Sequence, residues 1–258
     1  MGFDEIHKDS FSFTLESVVL YPDVLNNYYY GSLLLVLTAK ESYYHSFWKM
    51  IHVWGKIIVY GMGFRLKVDY DQKIESDQSY MFVANHASFI DPFVMIALSK
   101  NPIVFVGKKE LVKIPIFGFF YRRVVIMVDR SSEKSRKNVY ARAKKRLKNG
   151  VSMGIFPEGL VPHEGEVLAP FKNGAFSLSI EFEIPIVTQI YFEAKQYFSW
   201  NFFKGGPGVI RVKQHTFIET KNLTHKDMES LKQNVFDIIY QDLIADEKYM
   251  VATNRFKK

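Results

Sequence analysis

The sequence predicts an α/β fold with a largely parallel central sheet flanked by helices, preceded by an N-terminal amphipathic helical element. Three observations predict it. From about residue 80 onward, short apolar runs recur, each ending in Gly, Pro, Asn or a charged residue. Longer segments with helical periodicity separate them, the pattern expected where strands are buried on both faces by helices. The length of 258 residues, with 48% apolar and 24% charged residues, suits a globular chain with a sizeable core of its own.

The N-terminal stretch differs from the rest. It combines Tyr28-Tyr29-Tyr30, Leu33-Leu34-Leu35-Val36-Leu37 and a segment around Trp48, Trp54, Ile57, Ile58 and Tyr60, with Lys40, Lys49, Lys56 and Arg65 interspersed. Aromatic and aliphatic residues broken by single cations suit a helix or helical hairpin at an apolar–water boundary. Residues 1–70 are therefore expected to form a helical, membrane-associating region, and residues 71–258 the main domain. The alternative for the first region is a pair of helices covering the sheet of a soluble domain. No uninterrupted apolar run approaches the roughly 18 residues of an obvious spanning helix. Asp4 and Glu5 stand where a secretory signal has cations, and Ile6 stands where a myristoylation signal has Ser or Thr.

The strands are expected at Tyr80–Ala84, Ile103–Val106, Val124–Val128, Val151–Phe156, Ile186–Tyr191 and Val209–Lys213. The helices are expected at Pro92–Lys100, Glu133–Lys148, Asn173–Phe182 and His225–Leu243. The second helix is strongly basic, and Val139, Ala143 and Leu147 give it one apolar stripe. Its cations form either a solvated face or a surface attracted to anionic lipid headgroups.

The formal charge of +7 favours anionic partners without choosing among phosphorylated substrates, anionic lipid and nucleic acid. No nucleic-acid-binding motif accompanies it. Absence of Cys excludes disulfides, thiolate catalysis and Cys-ligated zinc. His45 and His52 have no carboxylate spacing that completes a metal site, so no metal is expected.

Two strand ends carry chemistry. The first strand runs into Asn85-His86, and Asp91-Pro92 follows, a favoured helix start. Ligands of open α/β sheets collect beyond the carboxyl ends of strands. The short loop from His86 to Asp91 can fold back to set the carboxylate against the imidazole. Such a pair removes a proton from a hydroxyl, the carboxylate fixing the tautomer. An isolated His-x4-Asp is also compatible with a plain helix cap and a structural histidine. The second strand end is Phe156-Pro157-Glu158-Gly159, where Pro ends the ladder and Gly permits a tight turn. Phe171-Lys172-Asn173-Gly174-Ala175 opens another helix. Gly107-Lys108-Lys109-Glu110-Leu111 and Asp129-Arg130 follow two further strands, without the spacing of a P-loop.

Taken in order, Asn-His-x-Ser-x-x-Asp, Lys-Lys-Glu-Leu with a later Asp-Arg, Phe-Pro-Glu-Gly, Phe-Lys-x-Gly-Ala and Ile184-Pro185-Ile186-Val187 resemble the glycerolipid acyltransferases, especially the bacterial 1-acyl-glycerol-3-phosphate acyltransferase family. The resemblance covers roughly residues 80–190. It implies transfer of an acyl group from acyl-CoA or acyl-carrier protein, as co-substrate, to the free hydroxyl of a lysophospholipid, giving phosphatidic acid in phospholipid biosynthesis with no cofactor. It implies His86 as general base assisted by Asp91, with no covalent acyl-enzyme, so that Ser88 is a loop hydrogen-bonding residue rather than a nucleophile. It implies acceptor binding by Arg130, Glu158 and Gly159, with Lys172 and Lys108 as supplementary phosphate contacts. It also implies work at a membrane surface, the cytoplasmic face of a bacterial inner membrane. One departure stands out. Members of the family commonly continue Phe-Pro-Glu-Gly with Thr-Arg, whereas this chain has Leu160-Val161. Either Arg130, Lys172 and other cations carry the missing charge, or the acceptor head differs from a simple phosphate. A lysophospholipid acyltransferase or transacylase for another head group and a non-catalytic lipid-binding scaffold are the competing readings.

Overall fold

A computed structural model describes residues 43–113, 117–128, 133–162, 165–198 and 206–254. The chain enters through helix α1 (Tyr44–Gly61) and strand β1 (Phe64–Tyr70), then β2 (Met81–Ala84), α2 (Asp91–Leu98) and β3 (Ile103–Lys108). After a 3-10 turn at Lys109–Lys113 come α3 (Phe117–Val124), β4 (Val125–Val128), α4 (Glu133–Lys148), β5 (Ser152–Ile155), α5 (Gly174–Glu181) and β6 (Ile186–Tyr191). The last elements are α6 (Ala194–Tyr197), β7 (Gly208–Gln214), α7 (Met228–Ala245), entered through a 3-10 turn, and α8 (Glu247–Asn254).

Among the described residues, seven strands form one sheet in the order β1-β7-β6-β2-β5-β3-β4. Every neighbouring pair is parallel except β6 with β7, which is antiparallel. The carboxyl ends of β2, β3, β4, β5 and β6 therefore share one edge. The predicted α/β architecture is the observed one, and the predicted strands match those observed to within two residues at either end.

The central strands explain their own composition. All residues of β2, β5 and β6 are buried, as expected for strands with helices over both faces. Gly154 is required by that crowding: a Cβ there would stand 2.9 Å from both the Met95 sulfur and the Phe105 ring. Helix α1 is amphipathic in the ordinary sense. Phe47, Trp48, Ile51, Ile58 and Val59 enter the core, and Gly55 allows α1 to approach α2, since a Cβ would lie 2.5 Å from Ile96 Cγ2. His52 reaches the Ile96 carbonyl through Nδ1 at 2.8 Å, a packing role. In α4, Val139 and Ala143 are buried, while Arg142, Lys144, Lys145 and Lys148 face solvent.

The N-terminal region divides. Residues 1–42, with the Tyr28 and Leu33 runs, lie outside the described residues. Residues 44–61 are helical as expected. Residues 64–70, on the N-terminal side of the division expected at residue 70, instead form β1, an edge strand paired with β7 from Phe64↔Gly208 to Tyr70↔Gln214. Among the described residues, no helix is long and apolar enough to cross a membrane.

Candidate active site

Strand β2 lies between β6 and β5, and its carboxyl end delivers Asn85 and His86 to the middle of the sheet edge. Asn85 is buried and continues the ladder with its side chain. Its Nδ2 donates to the Tyr191 carbonyl at 3.0 Å, and its Oδ1 accepts the Tyr191 N–H at 2.8 Å. This pair fixes where the chain leaves the sheet, so His86 starts from a rigid point.

Four contacts then hold His86 and the loop after it. Nδ1 of His86 lies 3.0 Å from Asp91 Oδ2. The His86 ring stacks on Phe156, with centroids 4.5 Å apart and planes 24° from parallel. The His86 backbone N–H donates to Glu158 Oε1 at 2.6 Å. Asp91 Oδ2 also accepts the Ser88 N–H at 2.6 Å, which closes the loop. Asp91 is not the plain helix cap of the competing reading: it is the first residue of α2, after Ile90 at the cap position, and its carboxylate turns back across the loop to His86 and Ser88. The physical reason is competition: the Ser88 amide and the imidazole offer a buried carboxylate two donors. The histidine side chain is 17% exposed and the aspartate side chain 0%. An ionised Asp91 places the imidazole proton on Nδ1, which leaves Nε2 able to accept a proton from a bound hydroxyl.

The electrostatics follow from burial. Burial pushes the Asp91 carboxyl up, opposed by the hydrogen bond and charge of His86 and by amides of Ser88 and Ala87. Burial likewise pushes the Glu158 carboxyl up to about 8, against two amide donors, with Asp91 and Glu166 adding repulsion. Ser88 Oγ donates to the Phe198 carbonyl at 2.6 Å, so this hydroxyl serves the loop and is not directed to the imidazole.

Of the other predicted residues, Glu158 is placed beside His86 but is only 2% exposed. Its Oε2 accepts the Ala169 N–H at 2.8 Å, so each carboxylate oxygen meets a backbone amide. Gly159 follows with φ +74°, a conformation that glycine takes without strain. Lys172 is exposed, and its N–H donates to the Pro157 carbonyl at 2.9 Å, which puts it against the same turn. Lys108 ends β3 on the same sheet edge. Arg130 lies outside the described residues, as do His163 and Glu164. Asn85, Phe156 and Ala169 complete the constellation and were not foreseen. Asn85 and Phe156 stand in the motifs themselves, but their partners are distant in sequence; Ala169 acts through its backbone and leaves no sequence signal.

The model of the acyltransferase family matches residues 65–191, which carry His86, Asp91 and Glu158. The chain is an acyltransferase. A 1-acyl-sn-glycerol-3-phosphate acyltransferase of Limnanthes douglasii is 27% identical over 206 residues, 79% of this chain and 72% of that protein. One from Borreliella burgdorferi is 25% identical over 189 residues, 73% of this chain and 75% of that protein. The crystal structure of the 1-acyl-sn-glycerophosphate (LPA) acyltransferase PlsC from Thermotoga maritima has the same fold, with a TM-score of 0.68 at 20% identity, covering 90% of this chain and 92% of that one. This acyltransferase is thus related to lysophosphatidic acid acyltransferases.

Glu158 makes one testable contribution here. In the unfolded chain its carboxyl ionises near 4.5, whereas in the folded chain it does so near 8. Folding takes up a proton between those values. The stabilising contribution is therefore fully present below about pH 4.5 and lost as pH rises through about 8, on the order of a few kcal/mol for a shift of this size. Melting curves of wild type from pH 5 to pH 9 are expected to show this decline, and Glu158→Gln is expected to flatten it. An unchanged slope in the variant would remove Glu158 as its source.

Proposed function

We propose that the protein acylates the free hydroxyl of 1-acyl-glycerol-3-phosphate from acyl-CoA or acyl-carrier protein, forming phosphatidic acid. The observation that carries the reading is the buried Asp91 carboxylate 3.0 Å from His86 Nδ1, at the carboxyl end of a central strand. In the proposed step, His86 Nε2 takes the acceptor's hydroxyl proton as its oxygen attacks the thioester carbonyl carbon. The new C–O bond forms and the C–S bond breaks. The imidazolium returns its proton to the departing thiolate, so no residue is acylated. Asp91 stabilises the imidazolium while it lasts.

In this reading, Arg130, Lys172 and Lys108 supply the cations for the acceptor phosphate, and Gly159 lets the turn approach it. Glu158 acts on the acceptor indirectly, through the backbone of His86 and Ala169, since its oxygens are occupied there. The lipidic substrates reach the site at a membrane surface. The exposed side of α1 supports that location: Val53, Ile57 and Tyr60, each half exposed or more, alternate with exposed Lys49 and Lys56. In this reading the site works at the cytoplasmic face of a bacterial inner membrane.

A panel of acceptors tests the assignment. Vesicles containing lysophosphatidic acid, lysophosphatidylcholine, lysophosphatidylethanolamine or lysophosphatidylglycerol are supplied with one acyl-CoA. Lysophosphatidic acid is expected to be acylated at least tenfold faster than the others. Preference for another head group would assign Leu160-Val161, in place of the usual Thr-Arg, to an altered acceptor cleft and reject the phosphate reading.

A further inference from the structure

Glu158 is anchored on its far side by a loop that is itself held by residues beyond the matched family segment. Ala169, which donates to Glu158 Oε2, is buried, as is Leu168. Just before them, the loop's carbonyls are held by groups from beyond residue 191. Lys195 Nζ lies 3.4 Å from the Glu166 carbonyl. The hydroxyl of Tyr249, on α8, donates to the Val167 carbonyl at 2.8 Å. Tyr249 is 4% exposed. Helix α8 is itself fixed at its entry: Asp246 takes two hydrogen bonds from the Arg211 guanidinium, at 2.6 and 2.9 Å, and its Oδ1 accepts the Tyr249 N–H at 2.8 Å.

We propose that Tyr249 is a positioning residue for His86: its hydroxyl holds the Val167 carbonyl, the loop so held presents the Ala169 N–H to Glu158, and Glu158 holds the His86 backbone N–H. The inference rests on the reading of His86 as the base. Each link is a short hydrogen bond, and Glu158, Ala169 and Tyr249 are all buried, so a shift at one end is passed to the next. Burial pushes the Tyr249 hydroxyl well up, against a hydrogen bond with Thr253, which keeps it able to donate. A small shift of a general base away from the hydroxyl it serves lowers turnover without loosening ground-state binding. The C-terminal helix thereby becomes part of what aims the imidazole, although it contributes no group to the site.

The test uses the full chain with Tyr249→Phe, which removes one oxygen and keeps the ring. Expected are a kcat lowered about 3–10-fold, the size of one hydrogen bond, KM values for donor and acceptor within twofold, and a melting curve still showing a folded protein at the assay temperature. The decisive comparison adds Tyr249→Phe to Glu158→Gln. If Tyr249 acts through Glu158, the second substitution has little further effect in the double variant. An unchanged kcat in Tyr249→Phe, a loss that follows only the unfolded fraction, or losses that multiply in the double variant would each overturn the inference. His86→Ala is run in parallel: wild-type activity there defeats the base itself, whereas its loss beside an unaffected Tyr249→Phe defeats only the positioning role.

Discussion

Replacing His86 by alanine is expected to lower kcat by about 10²–10⁴-fold, the usual contribution of a positioned general base. The expectation rests on three features of the ring: Asp91 on one nitrogen, Phe156 against one face, and a backbone pinned by Glu158. Cutting the side chain removes the ring contacts with Asp91 and Phe156 but keeps the backbone hydrogen bond to Glu158, so the fold survives. Asp91 retains the Ser88 amide but loses the imidazole. A buried carboxylate short of one donor costs about 1–3 kcal/mol, which a melting curve reads separately from the rate. KM for lysophosphatidic acid is expected to change little, because the base acts on the hydroxyl in the transition state rather than holding the lipid.

Replacing Asp91 by asparagine is the second large effect, about 10²–10⁴-fold in kcat. The substitution is nearly isosteric and keeps an oxygen for the Ser88 N–H. The Ser88 N–H and His86 Nδ1 both meet Oδ2, so an amide oxygen in that place keeps both contacts but carries no charge. The neutral oxygen holds the tautomer that frees Nε2 less firmly, and the imidazolium formed during transfer has no counter-charge. Because Asp91 is wholly buried and burial already pushes its carboxyl up, the neutral residue is tolerated by the fold. Activity loss with an unchanged or raised melting temperature is the expected signature. Activity within threefold of wild type would assign Asp91 to loop structure alone.

The legible part of this molecule was the part written in side chains at fixed positions. Strands such as Ile186–Tyr191 are buried on both faces and read as unbroken apolar runs; Pro157 and Gly159 mark where one of them ends. His86 and Asp91 are close enough in sequence for a loop to bring them together, so their meeting could be expected. Strand β1 was missed for a different reason. Its Phe64-Arg65-Leu66-Lys67-Val68 alternation has a strand's period of two, but it follows an aromatic, lysine-broken helix that absorbed it into one amphipathic stretch. Glu158 was legible as a polar residue at a strand end, while its task was not, because its partners are the backbone amides of His86 and Ala169, which have no sequence signature. Asn85 is similar: its amide reaches Tyr191 across 106 positions. Tyr249 lies beyond the segment that the family model matches, and only the folded chain brings it to Val167.

The most direct test of direct, base-assisted transfer is a single-turnover experiment. Full-length protein in excess is mixed with acyl-labelled acyl-CoA and vesicles containing lysophosphatidic acid, and samples are quenched from milliseconds to minutes. Phosphatidic acid and free CoA thiol are predicted to appear together, with no label on the protein at any time and none of this chemistry in His86→Ala. Label accumulating on the protein before phosphatidic acid forms, or free thiol released ahead of product, would contradict it.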